Sequence, residues 1–176
     1  MAKARGASLV TIPGMTGRLC LSACPGTWTG PADAATVARD LAAIAATGAR
    51  LLVTLVEAHE LPLPLADWRD AVRAAGLEPL HLPIPDWGVP EAAFETAWSE
   101  ARLAERLAAG ETLALHCRAG LGRTGTVAAR LLIEAAGMDA AAAIARVRRN
   151  HAAEAVETDG QVAHLHAVAA RNTPPA

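Results

Sequence analysis

The chain has no tyrosine and a single phenylalanine among its 176 residues. With aromatics at only 3%, Leu, Val, Ile, Ala and four tryptophans must fill whatever core it builds. Charge of one sign is lacking as well: basic and acidic residues nearly balance, for a net charge of −2. That removes the basic field on which a dedicated nucleic-acid binder depends. No apolar run approaches the ~20 residues that span a bilayer, and the opening MAKARGASLVTIPGM lacks the apolar middle of a secretory signal. The expectation is a soluble, cytoplasmic protein with neither a membrane nor a nucleic acid as partner. Cysteine is scarce too. Cys20, Cys24 and Cys117 are an odd number without framework spacing, which fits a reducing compartment and leaves room for one reactive thiol.

What is present is apolar residues, at 52%, enough for one compact core and few for two. A single domain over 1–176 is expected, with 1–15 and 171–176 as flexible ends. Strand and helix signals alternate along it. GRLCLSA reads as a strand, and PADAATVARDLAAIAATG as a helix with Val37, Leu41, Ile44 and Ala45 at helical spacing and Gly48 as its stop. ARLLVTLVE is a continuous Leu and Val run, the pattern of a strand covered on both faces. LADWRDAVRAAG is a second helix, and LEPLHLPI a strand closed by Pro83 and Pro85. PEAAFETAWSEARLAERLAAG reads as one helix with Pro90 near its first turn. ETLALHC is a buried strand, and three helices follow it. The order implies an α/β fold, a mainly parallel central sheet flanked by helices.

Ligands of such sheets sit beyond the carboxyl ends of the strands. The residues following ETLAL are HCRAGLGRTG, residues 116–125. Gly120 and Gly122 allow the backbone between Cys117 and Arg123 to fold tightly, so that successive N–H groups face one concavity suited to a tetrahedral oxyanion. The helix that follows adds its positive N-terminal end. The same field acts on Cys117: a free thiol has a pKa near ~8.5, and a helix N-terminus beside cationic groups lowers it toward a thiolate at neutral pH. Arg123 offers a planar fork that grips two phosphate oxygens.

HCRAGLGRTG resembles the H-C-x5-R-[S/T] signature of the cysteine-dependent protein tyrosine and dual-specificity phosphatases. The order of LHLPIPDWGVP, this loop and AVETDGQVAHLHAV is similar to that in the kinase-associated phosphatase group. The resemblance covers residues 18–168 and is strongest over 80–130. It implies a dual-specificity-like phosphatase fold in which Cys117 attacks phosphorus to form a phosphocysteine. Arg123 and the N–H groups of Arg118, Ala119, Gly120, Leu121, Gly122 and Arg123 would hold the phosphoryl oxygens. His116 would orient the loop and support the thiolate, and Thr124 would hydrogen-bond the sulfur. PDWGVP resembles the mobile acid loop of this family, which makes Asp86 the proton donor to the leaving group and later the general base for water. A positioned acid contributes ~10² to 10⁴-fold. Trp87 would anchor that loop or stack on a bound aromatic ring. Glu157, at a place where tyrosine phosphatases commonly carry glutamine, or Gln161 would position the water. No cofactor is implied.

The remaining polar residues carry less. Cys20 and Cys24 lie ~13 Å apart along an extended chain and read as structural thiols. His59, His81, His151, His164 and His166 show no metal-ligand spacing, so no metal is expected. RVRRN, residues 146–150, reads as a solvated helix end. Phosphoinositide phosphatases with this loop carry basic residues at the first and fourth positions after the cysteine, which here are Arg118 and Leu121. A phosphorylated protein or small aryl phosphate is therefore the expected substrate, hydrolysed without a metal. Two alternatives stay open: a phosphate-recognising binding module with little turnover, and an enzyme acting on another oxyanion such as a phosphoinositide, an RNA 5′-triphosphate or arsenate.

Overall fold

A computed structural model describes residues 6–172. Strands β1 (Ser8–Thr11), β2 (Arg18–Ser22), β3 (Ala49–Thr54), β4 (Glu78–His81) and β5 (Thr112–His116) form one sheet in the order β1-β2-β5-β3-β4. β2, β5, β3 and β4 run parallel, and β1 joins β2 antiparallel at one edge. The mixed α/β sheet expected from the alternation of signals is thus present. Its edge was not foreseen. Ser8–Thr11 lies in the stretch read as a flexible end, yet it pairs with Arg18–Ser22, and Val10 is fully buried. Residues 1–5 and 173–176 lie outside the described residues.

The side-chain alternation of the strands divides the core in two. Leu19, Leu21, Leu51, Val53, Leu113 and Leu115 point to one face, where they pack with residues of α5 (Gly122–Ala136), α6 (Ala140–Asn150) and α7 (Asp159–Asn172). Cys20, Leu52 and Ala114 point to the other, against Val37, Leu41 and Ile44 of α1 (Ala34–Ala45) and Trp68 and Val72 of α2 (Leu65–Ala74). Burial on both faces is why β3 and β5 read as unbroken apolar runs.

The stretch expected to be one long helix is two, α3 (Ala92–Ala101) and α4 (Leu103–Ala108), broken at Arg102 with φ 49°. Packing explains the break. Phe94 and Trp98 are buried from α3, and Leu103 and Leu107 from α4. At ~100° per residue a straight helix would set Leu107 about 180° from Trp98. The bend brings both pairs inward. The helix also starts later than expected, at Ala92, leaving Pro90 ahead of its cap residue Glu91.

Beyond β4 the chain continues alongside β3: Leu82 N–H donates to Thr54 O and Ile84 N–H to Leu55 O, each at 3.0 Å. Pro83 and Pro85 take the alternate positions, where no N–H is needed. The prolines therefore carry an irregular chain along the sheet and set down the next residue, Asp86, beyond the ends of β3 and β5.

Candidate active site

His116 closes β5 and is fully buried. Its Nδ1 lies 3.2 Å from Cys117 O, which can only accept, so Nδ1 carries the hydrogen. Burial pushes the imidazole down to about 4, so the ring is neutral and Nε2 accepts. The donor to Nε2 is the hydroxyl of Thr54, 3.0 Å away, which in turn accepts from Trp68 Nε1 at 3.0 Å. Trp68, Thr54 and His116 thus form a one-directional relay ending on the Cys117 carbonyl. It orients the loop without placing a positive charge beside the sulfur.

Four backbone carbonyls of the loop, those of residues 117, 118, 120 and 121, are each held from behind. Cys117 O is held by His116, Arg118 O by Cys24 N–H at 3.1 Å, and Gly120 O by His151 Nε2 at 2.6 Å. Leu121 O accepts from Gly125 N–H at 2.8 Å and Val156 N–H at 3.4 Å. In a trans peptide the N–H points opposite to the carbonyl that precedes it. The N–H groups of Arg118, Ala119, Leu121 and Gly122 are therefore turned away from these anchors, as an anion cradle requires. Gly120 N–H does something else and donates to Cys117 Sγ at 3.2 Å. Gly120 has φ 79°, and a Cβ there would come within 2.7 Å of backbone atoms of Ser22 and Ala23. Only glycine fits.

Arg123 is buried in the first turn of α5. Its Nη1 donates to Glu60 Oε2 at 2.7 Å and to Ile84 O at 3.1 Å, and its Nη2 to Glu60 Oε1 at 2.9 Å. Asp86 Oδ1 lies 3.1 Å from the same Nη2. Three Nη hydrogens are thereby used, and Asp86 faces Nη2 as an ion pair. Glu60 ends a short 3-10 turn, Ala58–Glu60, that follows β3, and its Oε2 also accepts from Glu57 N–H. Hydrogen bonds from Arg123 hold the Glu60 carboxyl below the usual carboxylate range despite its burial. Sequence reasoning missed Glu60. The only local signal is its place just beyond the carboxyl end of a strand.

Asp86 is half exposed and is the second residue of the turn Pro85–Gly88, closed by Gly88 N–H to Pro85 O at 2.8 Å. Trp87 occupies the turn's left-handed position at φ 58° and is 62% exposed, so it is a lip of the site; of the two parts expected of it, loop anchor or stacking on a bound ring, this exposure suits the second. The anchor is Gln161 of α7. Its Nε2 donates to Gly88 O at 3.2 Å, while its Oε1 accepts from Glu157 N–H at 2.8 Å. The acid loop is tied down over Arg123 in this structure. The Glu157 carboxylate lies against Gly122 at the rim.

Asp86, Trp87, Cys117, Arg118, Ala119, Arg123, Glu157 and Gln161 line one cleft of about 260 Å³. The structure therefore brings together the residues named from two distant motifs. Thr124 differs from its expected part: its hydroxyl is buried and has no hydrogen-bond partner among the described residues. Cys20 and Cys24 belong to the apolar cluster on the sheet face opposite Cys117. Burial pushes the Cys24 thiol up to about 12, and it raises that of Cys20, as suits structural thiols. Behind the loop, Val156 adopts φ 62°, a conformation costing ~1–3 kcal/mol in a β-branched residue. Arg148 holds it there, donating to Ala155 O at 2.9 Å and Val156 O at 3.0 Å.

A buried cysteine and arginine on one glycine-bearing loop, with a carboxylate loop over them at the end of a parallel sheet, define a cysteine-based phosphatase. The family model Tc-R-P, polymorphic toxin system, DSP-PTPase phosphatase, matches residues 28–137, and the chain belongs to that family. Among solved structures it is similar to Tk-PTP in its active form, at 31% identity over 93% of this chain and 97% of that one, with a TM-score of 0.71. It is also similar to kinase associated phosphatase carrying a serine in place of its catalytic-site cysteine, at 23% identity over 98% of both chains and a TM-score of 0.78. PTPMT1 in complex with PI(5)P shares the fold at 22% identity, over 88% of this chain and 91% of that one, with a TM-score of 0.66. No curated protein matches.

Proposed function

We propose that this phosphatase hydrolyses phosphomonoesters on phosphotyrosine, and on phosphoserine and phosphothreonine, of proteins through a phosphocysteine at Cys117, without a metal. The observation that carries the reading is the convergence of Cys117, the Arg123 fork and Asp86 on one cleft. The cradle N–H groups, Arg123 and the N-terminus of α5 supply the positive charge that the transferring phosphoryl group needs.

Entry of the phosphate displaces the Asp86 carboxylate from Nη2, so that one phosphoryl oxygen bridges Nε and Nη2 while Glu60 keeps the opposite edge of the guanidinium. Cys117 Sγ then forms the S–P bond as the ester P–O bond breaks, and protonated Asp86 gives its proton to the leaving oxygen. In the second half Asp86, now a carboxylate, takes a proton from water, whose oxygen bonds to phosphorus as the S–P bond breaks. We assign the orientation of that water to Glu157 and Gln161, which both line the cleft.

The choice of a phosphoprotein or aryl phosphate over a polyanionic headgroup is supported by the rim. Asp86 and Glu157 place two carboxylates beside the cleft, against Arg118 alone at its mouth, and Trp87 offers an apolar lip. A second phosphate on the substrate would meet like charge. Hydrolysis of an aryl phosphate in EDTA, inhibited by vanadate and abolished by Cys117→Ser, tests the proposal. Activity that needs a divalent metal, or that survives Cys117→Ser, sinks it.

A further inference from the structure

His151 follows α6 and lies 28 residues beyond Arg123 in sequence, outside both motifs. The residue is nonetheless buried behind the phosphate loop, at 7% relative exposure, with Nε2 2.6 Å from Gly120 O. A carbonyl only accepts, so Nε2 carries the hydrogen. This contact falls at the one point of the loop where the backbone itself fixes least. Glycine populates left- and right-handed conformations alike, so the Gly120–Leu121 peptide can rotate about its flanking bonds at little cost. The other carbonyl anchors act where side chains already narrow the choice, at Cys117, Arg118 and Leu121.

We propose that His151 is a positioning residue for phosphate binding. It holds the Gly120 carbonyl away from the cleft and thereby aims the Leu121 N–H at the phosphoryl oxygens. The inference rests on the phosphatase reading above. The imidazole is itself held by its surroundings. His151 N–H donates to Val147 O at 2.9 Å, which keeps the residue on the last turn of α6. Arg148 closes the following loop onto the same helix through Ala155 O and Val156 O. Val156 N–H then returns to Leu121 O, so both carbonyls flanking the Leu121 residue are fixed from this one loop.

Two substitutions separate positioning from packing. His151→Phe keeps the ring and removes the donor. His151→Gln sets an amide nitrogen near the place of Nε2 and keeps it. Inhibition constants for inorganic phosphate and vanadate, with kcat and KM for an aryl phosphate, are measured on both and on the unchanged protein. The expected result for His151→Phe is a rise of about tenfold or more in KM and in both inhibition constants, with most of that loss recovered in His151→Gln. Equal losses in the two variants, or unchanged inhibition constants in His151→Phe, overturn the proposal while leaving the phosphatase reading standing. If His151→Phe does not fold, titration of the unchanged protein with phosphate decides, followed through its backbone amide resonances. A shift of the Leu121 amide together with those of Arg118, Ala119 and Gly122 is expected, and a Leu121 amide that stays still while the others move overturns it. A protein that binds neither phosphate nor vanadate overturns both readings.

Discussion

Glu60 and Arg123 meet edge to edge, Oε2 to Nη1 at 2.7 Å and Oε1 to Nη2 at 2.9 Å, with 5% and 3% of their side chains exposed. The pair fixes the plane of the guanidinium and leaves its Nε edge toward the cleft. Removing one partner of a buried ion pair costs ~3–5 kcal/mol, because the other charge stays buried without compensation. Glu60→Ala is therefore expected to lower unfolding stability by about that much in a urea titration, and to lower kcat/KM at least ~tenfold through misplacement of Arg123. A variant with an unchanged unfolding midpoint contradicts the role given to the pair.

The carboxylate pair that Asp86 makes with Arg123 predicts a leaving-group effect. Asp86→Asn should reduce the rate ~10² to 10⁴-fold on an alkyl or peptidyl phosphate, and far less on a nitrophenyl ester whose oxygen leaves without a proton. In the unchanged protein, a thiolate and a protonated acid must coexist, which gives an acidic optimum with two limbs. The falling limb at higher pH should vanish in Asp86→Asn. If it persists, some other group is the donor.

His116 makes stability depend on pH. Its imidazole is pushed down to about 4 by burial, against 6.5 when unfolded. Between these values the unfolded chain binds a proton that the folded chain does not, so stability falls as pH drops from 6.5 to about 4. The full loss is on the order of 3 kcal/mol. His164, also lowered by burial, acts in the same direction. Comparison with His116→Asn cancels that background, and the variant should show a shallower decline over this window by chemical denaturation. Parallel profiles would rule out a neutral buried His116.

Gly120 and Gly76 share φ 79°, but a Cβ on Gly120 meets the backbone of Ser22 and Ala23 at 2.7 Å, whereas one on Gly76 meets nothing within 4 Å. Gly76→Ala should cost only the ~1–2 kcal/mol of left-handed backbone. Gly120→Ala should cost more and also abolish phosphate binding. Equal costs, read by thermal unfolding and phosphate affinity, would mean that the loop tolerates displacement from β2.

The parts of the site that carry local signals were legible in the sequence. Cys117, Arg123 and the two glycines lie within one short loop, and Asp86 sits among prolines whose placement beside β3 gives them a structural reason. Glu60, Thr54, Trp68 and His151 were not legible, because each acts through a contact between segments far apart in the chain. Thr54 and Trp68 read as ordinary core residues of a strand and a helix, and His151 only as one of five histidines without metal-ligand spacing. The fold shows the same division. Period and punctuation located β2 to β5 and most helices. The break at Arg102 and the edge strand Ser8–Thr11 were set by what packs against them.

Trapping the covalent intermediate tests the account most directly. The protein is mixed with an aryl phosphate, quenched in acid within a few turnovers, digested and analysed by mass spectrometry. A phosphate adduct on the peptide carrying Cys117, absent in Cys117→Ser, is the predicted result. Turnover at the normal rate with the label on no residue, or on a residue other than Cys117, would contradict it.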